Sequence, residues 1–456
     1  MLPCARRALV LGFACLSSVL SGCESNTGPA PDRPGKSPTS LQASADEREN
    51  SLVVVGTGDP TVDVPAVQAA VDRGGSVILK GHFSFDAPPT NPIVTDLLPF
   101  GIPAKAEVRI RNAVTVSGTD DERGEMTTID AGSIPFYVEA AGQDVAIRRL
   151  RFVRPTSLAM LVFAVRALDI VSNRVEGLKT FGPALNGAVG ILTVGGIPNA
   201  AKPGKPGNVS GNVIIAHNDF DVRGGTNTEN VLGITVFSIG DSTTPVDVRV
   251  SENRIENSTE PAINFRRVVG RVSIDHNVLK TGTIGVADAR GEVIRVANLG
   301  TYVVAHNLID CEWPLADAEG IGVFSQISAW PIEHALVVDN HITMAAPAGT
   351  AFSDFSGGIG VFGFANANVV QHNIIRGSAR AGITMPVFPL SPQAPAAPTG
   401  NQLIENRFYH FTPAVADIFV GSNAVGTVIV GRGTVVDQGS GTMLEQGDPR
   451  ADRPRR

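Results

Sequence analysis

The sequence predicts an all-β protein: a single right-handed parallel β-helix of three-strand coils, stabilised by an internal asparagine ladder and closed at its N-terminal end by a capping helix. Three observations carry this. A unit of the form V-x-I-x-x-N-x-I recurs through the middle of the chain, with its asparagines at 173, 218, 253, 277, 307, 340, 373 and 406. Each unit is followed by a polar loop of variable length and a second apolar strand such as GITVFS (233–238) or GIGVF (320–324, 358–362). The 49 Gly and 31 Pro among 456 residues exceed ordinary usage, which argues against a helical bundle, because both residues weaken helix interiors.

At the N-terminus, Arg6 and Arg7 precede an apolar run, Ala8–Leu20. That run is short for a bilayer span and fits a cleaved signal. It ends in Leu20-Ser21-Gly22-Cys23, which resembles the lipobox of bacterial lipoproteins. The resemblance implies cleavage after residue 22, lipid attachment at Cys23, and a protein anchored in the bacterial cell envelope, at the outer membrane or cell surface. Residues 23–50 are rich in Pro, Ser and charge without hydrophobic periodicity, so they read as a disordered tether. With the signal gone, Cys311 is the only cysteine besides Cys23. It can form no intramolecular disulfide and reads as a small buried apolar residue.

The β-helix is expected over 51–440. Its first segment, VDVPAVQAAVDRGGSVILKG, holds a short amphipathic helix (64–71), a Gly-Gly turn and a strand. In the repeat, the V-x-I alternation is a strand pattern, and a period near 33 residues denotes a solenoid. The asparagine is placed at the bend between two strands, where its amide satisfies backbone groups and its tolerance of left-handed conformation eases the turn. Stacked coil on coil, such amides bond one another. Residues 441–456, EQGDPRADRPRR at their end, read as a disordered tail.

These features together resemble the pectin-lyase-like right-handed parallel β-helix superfamily over about residues 51–440. The resemblance implies a groove along the strand that follows the variable loop. It does not fix an activity, since lyases, epimerases, hydrolases, esterases and non-catalytic adhesins share the fold. Calcium is implied only by resemblance to the family's calcium-dependent lyases, and no residue is assigned here as a metal ligand.

The net charge is −7, and an acidic body is a poor partner for phosphate backbones. Nucleic acid is not an expected ligand. A membrane, through the lipid, and a polysaccharide are. On the groove strand Arg266 is the basic residue expected to face outward; it and Lys280 are the candidate catalytic residues, neutralising a uronate or acting as base. Glu260, Asp288 and Glu319 at the strand margins, with Trp313 as a sugar platform, are the candidate substrate-binding residues. Phe237, Phe324 and Phe362 occupy equivalent outward positions, where the Pro-rich inserts 97–104, 195–208 and 386–400 are expected to cover them. The four His-Asn pairs (His217, His276, His306, His372) read as stacked corner residues rather than catalytic ones. Two functions fit: an envelope lipoprotein that binds, and cleaves or modifies, a polysaccharide, or a non-catalytic surface protein for adhesion or structure.

Overall fold

The computed structural model describes residues 51–182, 185–193, 208–223, 231–259, 261–281, 293–312, 318–346, 349–388 and 396–446. The signal segment, the tether and Cys23 lie outside the described residues. Among those described, 34 strands form one continuous hydrogen-bonded sheet wound into a helix, nearly all of it parallel. Each coil contributes to three faces, here called sheets A, B and C.

Sheet A holds the V-x-I strands, among them Val246–Ser251, Gly270–Asp275 and Thr301–Ala305. Sheet B holds the short strands after the asparagine, such as Arg174–Glu176, Arg254–Ser258 and Val278–Thr281. Sheet C holds the strands after the variable loop, such as Val231–Ile239, Ile263–Val268 and Glu319–Ser325. Alternation turns every second side chain inward. The register then stacks like on like: Val77, Val116, Ile147, Ile170, Ile215, Val250, Ile274, Val304, Val337, Val370, Leu403 and Ile429 form one aliphatic column. All are buried in the central core. Cys311 belongs to the same core, where burial pushes its thiol up to about 12, so it is an inert apolar residue.

The ladder forms as expected. The backbone N–H of Asn173 donates to Asn218 Oδ1 at 2.8 Å, and the pattern repeats through Asn253, Asn277, Asn307, Asn340, Asn373 and Asn406. The bend itself differs from expectation. The left-handed residue is the one before each asparagine: Ser172, His217, Glu252, His276, His306, Asp339, His372 and Glu405 have φ between 46° and 57°. The asparagine must turn its amide into the core, so the strained conformation falls on its outward-facing neighbour, often His or Asp, which tolerate it better than most residues. The His276 and His306 rings lie 4.9 Å apart with their planes tilted by 35°, a corner pair in successive coils. A second, shorter ladder joins Ala335 N, Asn368 and Asn401 at the corner leading into sheet A.

The capping helix spans Pro60–Arg73, beginning four residues before the expected start. Asp59 accepts from Thr61 N and Pro60 follows it, a helix-start signal of N-cap and N1 proline. Val67, Ala70 and Val71 close the open end of the first coil. Asp63 holds the connection: its carboxylate accepts from Thr57 N, Thr57 Oγ1, Gly58 N and Ser84 N at 2.8–3.0 Å. At the other end, strand Met443–Gln446 pairs with Val428–Gly431 on sheet A. The coil therefore runs past the expected boundary at 440, because the last V-x-V strand still offers an open edge to pair with.

Candidate functional site

The outer face of sheet C is the one on which the sequence places a groove, and the register sets two outward rows there. One runs Phe237, Arg266, Ala297, Phe324, Phe362; the other runs Thr235, Asn264, Arg295, Gly322, Gly360, Thr384. The C-terminal half of the face is sealed. Phe324 and Phe362 stack at 4.9 Å and are 3% exposed, Phe355 meets Phe362 edge-on at 5.4 Å, and Phe388 stacks on it at 5.3 Å. Phe388 comes from the 386–400 insert, and Phe100, from the 97–104 insert, stacks on Phe237 at 5.9 Å. Two of the Pro-rich inserts thus act as covers; most of the third lies outside the described residues.

Between the covers the face carries charged and polar side chains. The Arg266 guanidinium sits 5.4 Å from the centre of the Phe237 ring, and Arg295 5.7 Å from Phe324. Such contacts hold arginine heads in place by cation–π attraction. Both residues are half-buried. Thr235 Oγ1 and Asn264 Oδ1, adjacent in register beside Arg266, are buried and have no hydrogen-bond partner. A buried polar atom left unmade costs roughly 1–3 kcal/mol, so two side by side on one face are a demand that packing alone leaves unmet. At the corner beyond, Arg267 lies 4.6 Å from the Trp330 ring centre, and burial lowers its affinity for a proton.

Of the residues singled out from sequence, Arg266 and Glu319 share this face. Glu319 opens strand Glu319–Ser325, at the margin where the sequence places it, and is buried there at 2% exposure. Its side chain lies across Gly360, where an added Cβ would come within 3.1 Å of Glu319 Cγ. The structure does not bring Lys280 to Arg266. Lys280 is on sheet B, in register with Glu256 and Asp310, because the chain turns a corner onto sheet A and another onto sheet B before reaching it. Glu260, Asp288 and Trp313 lie outside the described residues. Asp354, a further acid at this margin, pairs with Arg380 at 2.6 Å.

The structure adds a site that the sequence reading passed over. Sheet B carries an open groove of about 800 Å³ lined by Arg151, Arg174, Glu176, Asp221, Arg254 and Glu256. Glu176, Asp221 and Glu256 occupy one position in successive coils, about 4.8 Å apart by strand spacing. Arg151 bonds Glu176 at 2.7 Å, Arg174 contacts the same carboxylate, Arg254 bonds Glu256 at 2.7 Å, and Asn257 donates to Asp221 at 2.6 Å. The signal lay in the three residues after each of three ladder asparagines, where R-V-E, D-F-D and R-I-E occur. Calcium takes six to eight oxygen ligands. This row does not fit it, since arginine or an amide already engages each carboxylate, and no group of three or more His, Cys, Asp or Glu among the described residues is arranged to hold a metal.

The fold is a parallel β-helix, one that solved structures share. The surface adhesin PfbA of Streptococcus pneumoniae superposes with a TM-score of 0.50 at 14% identity, over 82% of this chain and 93% of that one. The tailspike protein of E. coli bacteriophage HK620, solved in complex with a pentasaccharide, gives 0.46 at 10% identity over 88% of this chain and 80% of its own. The A-module of the Azotobacter vinelandii mannuronan C-5 epimerase AlgE4 gives 0.33 at 11% identity over 86% and 95%. No protein-family model matches the chain, and no curated protein matches it.

Proposed function

We propose that the protein is an envelope lipoprotein whose β-helix binds a polysaccharide along the outer face of sheet C. The observation that supports this best is the patch in which the half-buried Arg266 and Arg295, each braced on an aromatic ring, flank the buried, unpartnered Thr235 Oγ1 and Asn264 Oδ1. A saccharide hydroxyl can satisfy both orphan groups, and arginine supplies the fork geometry that oxygen-rich ligands need. Binding is the reading the geometry favours over a particular bond-breaking step. The second reading is a non-catalytic adhesive surface. It is favoured by the sheet B groove, whose charges are already neutralised in pairs and so suit contact better than chemistry.

A panel of neutral and acidic polysaccharides, read by binding, by lyase absorbance and by reducing-end release, separates these readings. Arg266→Ala is expected to weaken binding at least tenfold while the thermal midpoint stays within a few degrees. Unchanged affinity in that variant would sink the assignment of this face, and no glycan response from the native protein would leave adhesion. The lipid anchor is tested apart from the site. Cys23→Ala is expected to leave an uncleaved precursor or a form released from membranes; normal processing and membrane partition of that variant would refute lipidation.

A further inference from the structure

The two ends of the solenoid are finished differently. At the N-terminal end the helix Pro60–Arg73 sets Val67, Ala70 and Val71 over the first coil, each at most 1% exposed. At the other end the last strand, Met443–Gln446, is an edge: Val428–Gly431 pairs with one side of it, and among the described residues no strand pairs with the other. The register of Ile429 with Leu444 makes Leu444 the next member of the aliphatic column. Its twelve predecessors are at most 5% exposed, whereas Leu444 is 61% exposed, and Met443 beside it on the outer face is 56% exposed. Val435, inward on the last strand of sheet C, packs on the core but is only partly buried. An inward aliphatic side chain left in water forfeits its burial. Residues 447–456 are poorly composed to cover it: six are charged, two are proline, and the other two are glycine and alanine. Edge strands in natural proteins are commonly blunted by charge, by proline or by a covering segment; here Glu445 is the only charge on the strand. The backbone fixes which groups are free. Met443 N–H donates to Thr427 O at 2.8 Å, and successive residues of a strand point their N–H and C=O to opposite sides, so those of Leu444 face the open edge.

We propose that this edge pairs end to end with the same edge of a second copy of the chain. A two-fold axis through Leu444, perpendicular to sheet A, reverses the partner strand and keeps inner face beside inner face. Leu444 then exchanges both backbone hydrogen bonds with its counterpart, and the two leucine side chains join the aliphatic columns of the two cores. Met443 falls opposite the partner's Glu445, which puts the two carboxylates on a diagonal; like charges directly opposite would destabilise the pair. Because the helix closes the N-terminal end, the contact stops at two copies and does not grow into a filament. The two capping helices stand at the far ends of the pair. This inference is independent of how sheet C is read and requires no ligand.

Analytical ultracentrifugation of the full chain, purified in detergent under reducing conditions, is expected to show a dimer at micromolar concentration. Leu444→Asp is expected to weaken it at least tenfold while the thermal midpoint stays within a few degrees, because the side chain is exposed in the single copy. Oxidative cross-linking gives a second reading in membranes that hold the full chain. Leu444→Cys is expected to yield a covalent dimer, since its two Cα atoms would lie about 5.5 Å apart, within the range a disulfide spans. The native chain and Val278→Cys, exposed on sheet B, are the controls and are expected to yield none. A monomer at every concentration, a dimer unmoved by Leu444→Asp, or a Leu444→Cys product no stronger than that of the controls would overturn the proposal. A different protein found on this edge and lost in Leu444→Asp would overturn the second copy as its occupant.

Discussion

Asn307→Leu is expected to open the middle of the solenoid. Asn307 sits at the centre of the ladder: its N–H and Nδ2 donate to Asn340 Oδ1, its Nδ2 also donates to Ile274 O, and its Oδ1 accepts from Asn277 N and Nδ2. Leucine matches the volume but leaves Asn277 N and Ile274 O buried without those partners. At roughly 1–3 kcal/mol for each orphaned group, the loss is about 2–6 kcal/mol. Stability in a solenoid is held between nearest neighbours, so the loss is local. Hydrogen exchange should show lowered protection at Asn277, Ile274 and Asn340, with the first coils near Val77 unaffected. Protection unchanged around residue 307 would mean that the ladder follows the coil rather than supports it.

Glu107→Gln is expected to flatten the pH dependence of stability at the N-terminal end. Glu107 is 1% exposed on strand Lys105–Ile110, and neither carboxylate oxygen has a hydrogen-bond partner. Burial, and then the nearby Asp86 charge, push its carboxyl from the usual 4.5 up to about 8. The folded value lies above the unfolded one, so the stabilising effect of the bound proton is complete below about pH 4.5. It is lost as pH rises towards 8, where the unfolded chain has given up its proton and the folded chain is forced to. At about 1.4 kcal/mol per pH unit, the difference across that window is on the order of 3–5 kcal/mol. Urea midpoints at pH 5 and pH 8.5 should therefore diverge in the native protein and converge in Glu107→Gln, with the variant the more stable at pH 8.5. Parallel profiles for the two proteins would show that Glu107 ionises freely in the fold.

Much of this architecture was legible along the chain. A strand repeat with one asparagine per coil has a single economical packing, in which apolar residues two apart face inward and each amide meets the next. The eight ladder positions, the capping role of residues 60–73 and the burial of Cys311 are consequences of local pattern. The second ladder at Asn368 and Asn401 was harder to see, since two members do not make a visible period. The site was legible in part. Arg266 faces outward on sheet C as alternation predicts, but alternation does not say whether an outward face meets water or a neighbouring insert. Only the placement of Phe355 and Phe388 against Phe324 and Phe362 answers that. Glu319 illustrates the same limit: the absence of a side chain at Gly360, one coil on, lets it lie flat and buried.

Local sequence determines the coil, because strand alternation, the asparagine bend and the aliphatic column depend on residues within about one repeat of each other. Tertiary structure alone decides what each face does. Arg266 and Lys280 are 14 residues apart in the chain, yet two corners put them on different sheets. Glu176, Asp221 and Glu256 are separated by 45 and 35 residues, yet the parallel register sets them side by side. Loops of unequal length hide such alignments in the linear sequence, while hydrogen bonding between coils restores them to a spacing of about 4.8 Å.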